Sequence, residues 1–292
     1  MAGILAKLGK DVLAVNDFAV PPTLTFLDPQ HQVKQLGKDV TPQQLADCEV
    51  IVVLDTTAWI QLGKMGDVIR QSKAIKAVLD HHVSADDLGA ELFKNTGAEA
   101  TGRLVVEAAD ALGVPLTPEI AQAAFAALAT DTGWFRFAST SADTLRLAGR
   151  LVDAGAQPDL LYKHLYEHDS LARLQLIGQT LARTRAELGG RLVHTWIERT
   201  DFTATGALVS DTEDIINMTL TVAGTEVAVI LVEQSSGQFK LSLRSRSDVD
   251  CSKLAETFQG GGHKRAAGAT LDGPLEAAQT RVLEVVRAAM QK

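Results

Sequence analysis

Val78-Leu79-Asp80-His81-His82 is an apolar run that ends abruptly in a carboxylate and two imidazoles. Read as the end of a strand over residues 74–80, it delivers those groups to the C-terminal edge of a sheet, where open α/β folds bind ligands. Two more apolar segments finish in the same way. Val52-Val53-Leu54-Asp55 closes a strand over 49–55, and Ala129-Thr130-Asp131 closes a strand or helix. Alone, a His-His pair reads as a surface turn. With Asp55 and Asp131 beside it, the pair reads as part of a divalent-metal site.

Working outward, 11–16 reads as a further strand and 65–71 carries helical periodicity. Strand and helix therefore alternate, as in a parallel sheet wrapped by helices. From about Ala98 the pattern turns helical over 99–112, 118–130, 142–154, 159–164 and 171–188, with Pro118 and Pro158 suitably placed near helix starts. Gly189-Gly190 breaks that run, and 191–198 returns to strand character. Strands at 226–233 and 238–244 flank a hairpin connection. A helix at 252–258, a glycine-rich loop, a strand at 267–271 and a helix at 275–290 complete a second unit. The expected fold class is α/β: a parallel-sheet domain at 1–150, a helical connector at 151–190, and a smaller α/β substrate-binding domain at 191–292.

The 292 residues suffice for one large or two ordinary domains, and an apolar fraction of 46% supplies a full core. No apolar run approaches the length of a membrane span. The N-terminus lacks the pattern of a signal peptide, so a cytoplasmic protein without a membrane partner is expected. Cys48 and Cys251 lie far apart with no CxxC spacing and read as free thiols. A net charge of −8 argues against a broad basic face that coats long nucleic acid. A small anionic substrate remains compatible, because metal ions and a few arginines reverse the potential locally.

Carboxylate oxygen with imidazole nitrogen suits manganese, magnesium, iron or zinc, and the shortage of nearby cysteine disfavours a structural zinc. A bridging carboxylate, for which Asp55 is the candidate, can hold two ions about 3.5–4 Å apart, a geometry suited to in-line attack on phosphorus. Metal-bound histidines commonly need a carboxylate behind them to fix the tautomer; Asp80 is a candidate for that role or for a ligand. In Gln259-Gly260-Gly261-Gly262-His263-Lys264-Arg265, glycines allow backbone N–H groups to turn towards an anion and the basic residues add charged donors. With Leu243-Arg244-Ser245-Arg246 on a strand nearby, this loop reads as phosphate recognition rather than a solvated tip. Trp134, Arg136 and Phe137 follow Asp131; the aromatics fit nucleobase stacking or core packing, and the arginine fits a phosphate. His164, His168 and His194 show no convergent spacing.

Taken in order, Val50-Ile51-Val52-Val53-Leu54-Asp55-Thr56, Leu79-Asp80-His81-His82, Thr130-Asp131-Thr132-Gly133-Trp134-Phe135-Arg136-Phe137 and Gly260-Gly261-Gly262-His263-Lys264-Arg265-Ala266-Ala267-Gly268 resemble the motifs of the DHH phosphoesterases with a DHH-associated C-terminal domain. The resemblance is to the NrnA-type oligoribonuclease and pAp phosphatase group, where pAp is 3′-phosphoadenosine 5′-phosphate. It implies that Asp55 bridges two manganese ions, with magnesium as the alternative, and that His81 and Asp131 ligate one of them. His82 is implied at the scissile phosphate. Arg244, Gly261, Gly262 and His263 are implied to hold substrate, with Arg136 a weaker match. Short RNA or DNA oligonucleotides or pAp are the implied partners, and a homodimer is left open.

One part of that pattern is not matched. The family carries an earlier strand ending in His and a PDGDAxGS-type loop that supply the remaining metal ligands, whereas Met1-Ala2-Gly3-Ile4-Leu5-Ala6-Lys7-Leu8-Gly9-Lys10 resembles the helix after them. The expectation is that Met1 is an internal methionine of a longer active enzyme; a degenerate form that lost one metal is the alternative. The expected function is metal-dependent hydrolysis of short oligonucleotides and pAp. Rival readings are a cyclic-dinucleotide phosphodiesterase and a non-catalytic nucleotide-binding module.

Overall fold

The computed structural model describes residues 1–83 and 86–291. It divides into two compact units, Met1–His168 and Asp169–Lys292. The first unit runs through α1 (Ala2–Lys7), β1 (Ala14–Asn16), β2 (Val33–Gln35), β3 (Val50–Leu54), α2 (Lys64–Gln71), β4 (Ile75–Asp80) and β5 (Glu91–Lys94). It continues through α3 (Thr101–Ala111), α4 (Pro118–Asp131), α5 (Ala142–Asp153) and α6 (Pro158–Tyr166).

Strands β3, β4 and β5 form a parallel sheet in that order, and β1 and β2 form a separate parallel pair. Successive side chains point to opposite faces of a strand. Val53 and Val78 thus pack on Ile69 of α2, while Val52 and Leu79 pack with Leu104 of α3. Covered on both faces, β4 ends with Val78, Leu79 and Asp80 all buried. Leu54 pairs with Leu79, so β3 and β4 end level, and the Asp55 amide donates to the Leu79 carbonyl at 2.9 Å. Asp55 and Asp80 consequently leave the sheet at one edge.

Asp131 reaches that edge through helix packing. Thr117 caps α4 and Pro118 occupies its first turn, where a missing N–H costs nothing. Ala121, Ala124, Phe125, Ala126, Leu128 and Ala129 make α4 apolar almost all round, which suits an interior helix. Its small residues let α3 approach closely. A Cβ added to Gly102 would stand 3.0 Å from both the Ala124 carbonyl and the Ala127 Cβ. The start of α3 thus lies against the final turns of α4.

The second unit comprises α7 (Leu171–Ala182), β6 (Arg185–Glu187), β7 (Leu192–Ile197), α8 (Arg199–Thr205), α9 (Ile215–Thr219), β8 (Val227–Glu233), β9 (Phe239–Ser245), α10 (Cys251–Glu256), β10 (Gly261–His263), β11 (Ala266–Leu271) and α11 (Leu275–Met290). Its six-stranded sheet has the order β10-β11-β9-β8-β7-β6. Only the β7–β8 pairing in that sheet is parallel. One face packs Val229, Leu231, Leu241 and Leu243 against residues of α10 and α11 such as Leu254 and Val282. On the other, Ala228, Ile230 and Val232 of β8 pack against Leu176 of α7 and Ile215 of α9.

Two local expectations give way to tertiary pairing. The helix expected over 171–188 stops at Ala182, and Arg185–Glu187 pairs with β7 instead. There Glu187 accepts two hydrogen bonds from Arg287, at 2.6 and 2.8 Å, and lies 3.2 Å from His194, contacts that a continued helix would have to rebuild. The glycine run expected as a loop is largely strand β10. Its backbone lies so close to β11 that a Cβ at Gly260 would stand 2.1 Å from the Gly268 carbonyl oxygen. The stretch 151–190 contributes to both units, with α6 in the first and α7 in the second. Among the described residues no helix is long and apolar enough to cross a membrane.

Candidate functional site

Asp55, Asp80, His81, His82 and Asp131 converge at the sheet edge, each held in a different way. Asp55 adopts a left-handed backbone with φ of 66°. Its Oδ1 accepts a 2.7 Å hydrogen bond from the Thr101 hydroxyl at the start of α3. Asp80 is fully buried. Its Oδ1 accepts from the His82 amide at 3.1 Å and lies 2.7 Å from His82 Nδ1, while Oδ2 accepts from Thr57 at 3.2 Å and faces the Lys94 ammonium at 3.7 Å. Burial alone would raise the Asp80 carboxyl, but the His82 ring and amide hydrogen bonds, the His82 charge and Thr57 together hold it below the usual carboxylate range. The supporting role expected of Asp80 is directed at His82.

His81 is oriented by the main chain. Its Nδ1 lies 3.1 Å from the Ala98 carbonyl, which can only accept, so Nδ1 carries the proton. In the neutral ring Nε2 then presents a lone pair, and it stands 3.6 Å from both Asp55 Oδ1 and Asp131 Oδ2. Three acceptors turned to one place repel each other unless a cation lies among them. Burial, then the Asp55 charge, pushes the Asp131 carboxyl above its usual range, with His81 and His82 opposing. Asp55, His81 and His82 also offer ligand atoms within 4.8 Å of one another. This oxygen and nitrogen donor set fits a divalent metal ion.

Trp134 and Phe135 pack against the helical core around Phe125, with centroid separations of 6.1 and 5.8 Å. Phe137 instead stays half exposed. Arg136 folds back, its Nε donating to the Gly133 carbonyl at 2.7 Å. In the second unit, Ala266 of β11 pairs with Arg244 on one side and His263 on the other, and Gly261 pairs with Gly268. Arg244, Gly261 and Gly262 line one cavity of 1020 Å³.

Thr101, Thr57 and the Ala98 carbonyl were not visible as site residues from the sequence. A threonine in the first turn of a helix reads as an ordinary terminal residue, and a main-chain carbonyl has no sequence signature.

The family model for the DHHA1 domain matches residues 191–292. The bifunctional oligoribonuclease and PAP phosphatase NrnA of Thermus thermophilus is 35% identical over 210 residues, covering 72% of this chain, which in turn spans 63% of that protein's length. The Bacillus subtilis protein of the same name is 26% identical over 262 residues, covering 88% of this chain and 79% of its own length. An exopolyphosphatase-related protein from Bacteroides fragilis has the same fold, with a TM-score of 0.85 at 23% identity over 99% of this chain and 85% of that one. Residues 191–292 thus match the DHHA1 domain, and over most of its length the chain is similar to NrnA-type proteins of the DHH family.

Proposed function

We propose that this chain is a metal-dependent phosphoesterase that hydrolyses short oligonucleotides and pAp in the cytoplasm, with manganese as its metal. The observation that carries the reading is the His81 Nε2 lone pair facing Asp55 and Asp131 at 3.6 Å each, beside a second histidine aimed by a buried carboxylate. Relatives named as oligoribonucleases and PAP phosphatases support the substrate class. Residues 1–150 carry the chemistry in this proposal, and 191–292 hold the nucleotide.

Asp55, His81 and Asp131 would hold the metal. When bound, it polarises a phosphoryl oxygen and makes a nucleophile available at neutral pH. Thr101 keeps the Asp55 carboxylate turned to the site. As the imidazolium, His82 would donate its Nδ1–H to Asp80 and its Nε2–H to the scissile phosphate, and the Nε2 proton then passes to the leaving oxygen, which leaves the ring neutral. Arg244 and the β10 backbone bind a further phosphate through charge-assisted and main-chain donors.

Manganese-supported hydrolysis of a dinucleotide and of pAp tests the reading in the full chain, Asp55→Ala and His82→Ala. The wild type should turn both over, and each variant should lose about 10²-fold or more. Equal rates in all three would refute it.

A further inference from the structure

On one face of the second unit's sheet β8 is packed under helices, whereas β9 and β11 carry exposed Lys240 and Thr270. Along β9, Phe239, Leu241 and Leu243 join the core, so Lys240, Ser242 and Arg244 point the other way. Across β8 that opposite face is packed under α7 and α9. Across β9 and β11 the same face borders the cavity, and Lys240, Ser242, Gly268 and Thr270 line it together with Arg244. Register sets these residues in rows. Arg244 pairs with Ala266, Ser242 with Gly268 and Lys240 with Thr270.

The floor of the middle row is made of glycine and serine, so nothing bulky stands between the two ends. At one end are Arg244 and the glycines, which line the cavity and are proposed above to bind a phosphate. At the other, exposed Lys240 stands four residues along the strand, roughly 13 Å away at ~3.3 Å per residue. Two cations so separated along a flat, open floor grip different phosphates of one extended strand. Beyond Lys240 the charge changes sign. Asp272 follows β11 and lines the same cavity, its Oδ1 accepting from Gln238 Nε2 at 3.0 Å.

We propose that Lys240 and Thr270 extend the phosphate site at Arg244 into a track for the backbone of a single-stranded oligonucleotide, and that the Asp272 carboxylate limits its length. This rests on the phosphoesterase reading for its ligand class. Lys240 takes a second phosphate by charge, and the Thr270 hydroxyl donates to the same group. A strand running past Lys240 meets the carboxylate and is repelled. The track therefore selects oligonucleotides of a few residues, which a pair of phosphate sites alone would not do.

Binding of 5′-phosphorylated oligoadenylates of two, four and eight nucleotides to the full chain, measured calorimetrically in EDTA, separates the track from the chemistry. Wild-type affinity should rise from two to four nucleotides and gain nothing at eight. Lys240→Gln should lower tetranucleotide affinity about tenfold, lower dinucleotide affinity far less, and reduce the tetranucleotide salt slope by about 0.7. Asp272→Asn should raise octanucleotide affinity at least about threefold. Losses independent of length, or no loss in Lys240→Gln, overturn the track. If the length dependence holds while no oligonucleotide is hydrolysed on adding manganese, the phosphoesterase reading fails and the track stands. If every length is hydrolysed and Lys240→Gln binds and cleaves like wild type, the track fails and the phosphoesterase reading stands.

Discussion

The Thr101 hydroxyl donates to Asp55 Oδ1 at 2.7 Å, tying the first residue of α3 to the residue that follows β3. Asp55 has a left-handed backbone, which costs a non-glycine residue energy and persists only where neighbours hold it. The bond leaves the carboxylate turned to His81 Nε2. Groups that orient a metal ligand in this way typically change metal affinity about 10–100-fold when lost.

Thr101→Val keeps the shape of the side chain and removes the donor. Manganese affinity measured by calorimetry should fall about tenfold or more. The thermal midpoint of the metal-free chain should stay within a few degrees of wild type.

Asp80→Asn retains a hydrogen-bonding group of the same size but removes the charge that aims His82. The turnover number on a dinucleotide should drop by about 10²-fold or more while KM changes little, because substrate is still held by other residues. A large KM increase with unchanged turnover would instead place Asp80 in binding.

The second unit should lose stability on mild acidification. His194 is buried between Glu187 and Gln279, and burial pushes its pKa below the ordinary value even though Glu187 pulls the other way. A histidine whose folded pKa lies below its unfolded value, about 6.5, stabilises the fold fully above that pH and loses its contribution as pH falls through the folded value. Thermal midpoints should therefore decline below about pH 6.5, and His194→Gln should flatten that decline.

The two thiols should differ in reactivity. Burial pushes Cys251 up to about 11, with nearby Arg244 opposing and Asp250 assisting, so its thiolate is scarce at neutral pH. Cys48 is only partly covered. Iodoacetamide on the native chain should label Cys48 first, with Cys251 modified only after denaturation, as peptide mass analysis would show.

The sequence alone determined the strands and helices that carry the site, because alternation and helical periodicity are local properties. Val50–Leu54, Ile75–Asp80 and Pro118–Asp131 lie within a residue or two of where those patterns place them. The donor residues were readable for a related reason: acidic and imidazole groups at the ends of apolar segments stand out against what precedes them. Tertiary structure alone decided which partner orients each donor. Asp80 serves His82, the Ala98 carbonyl serves His81, and Thr101 serves Asp55 across 46 residues of chain. It also turned the end of an expected helix into β6 and a glycine run into β10, because main-chain pairing with β7 and β11 satisfies backbone groups that local propensity leaves undecided. Such choices depend on contacts between residues distant in sequence, and no local pattern encodes them.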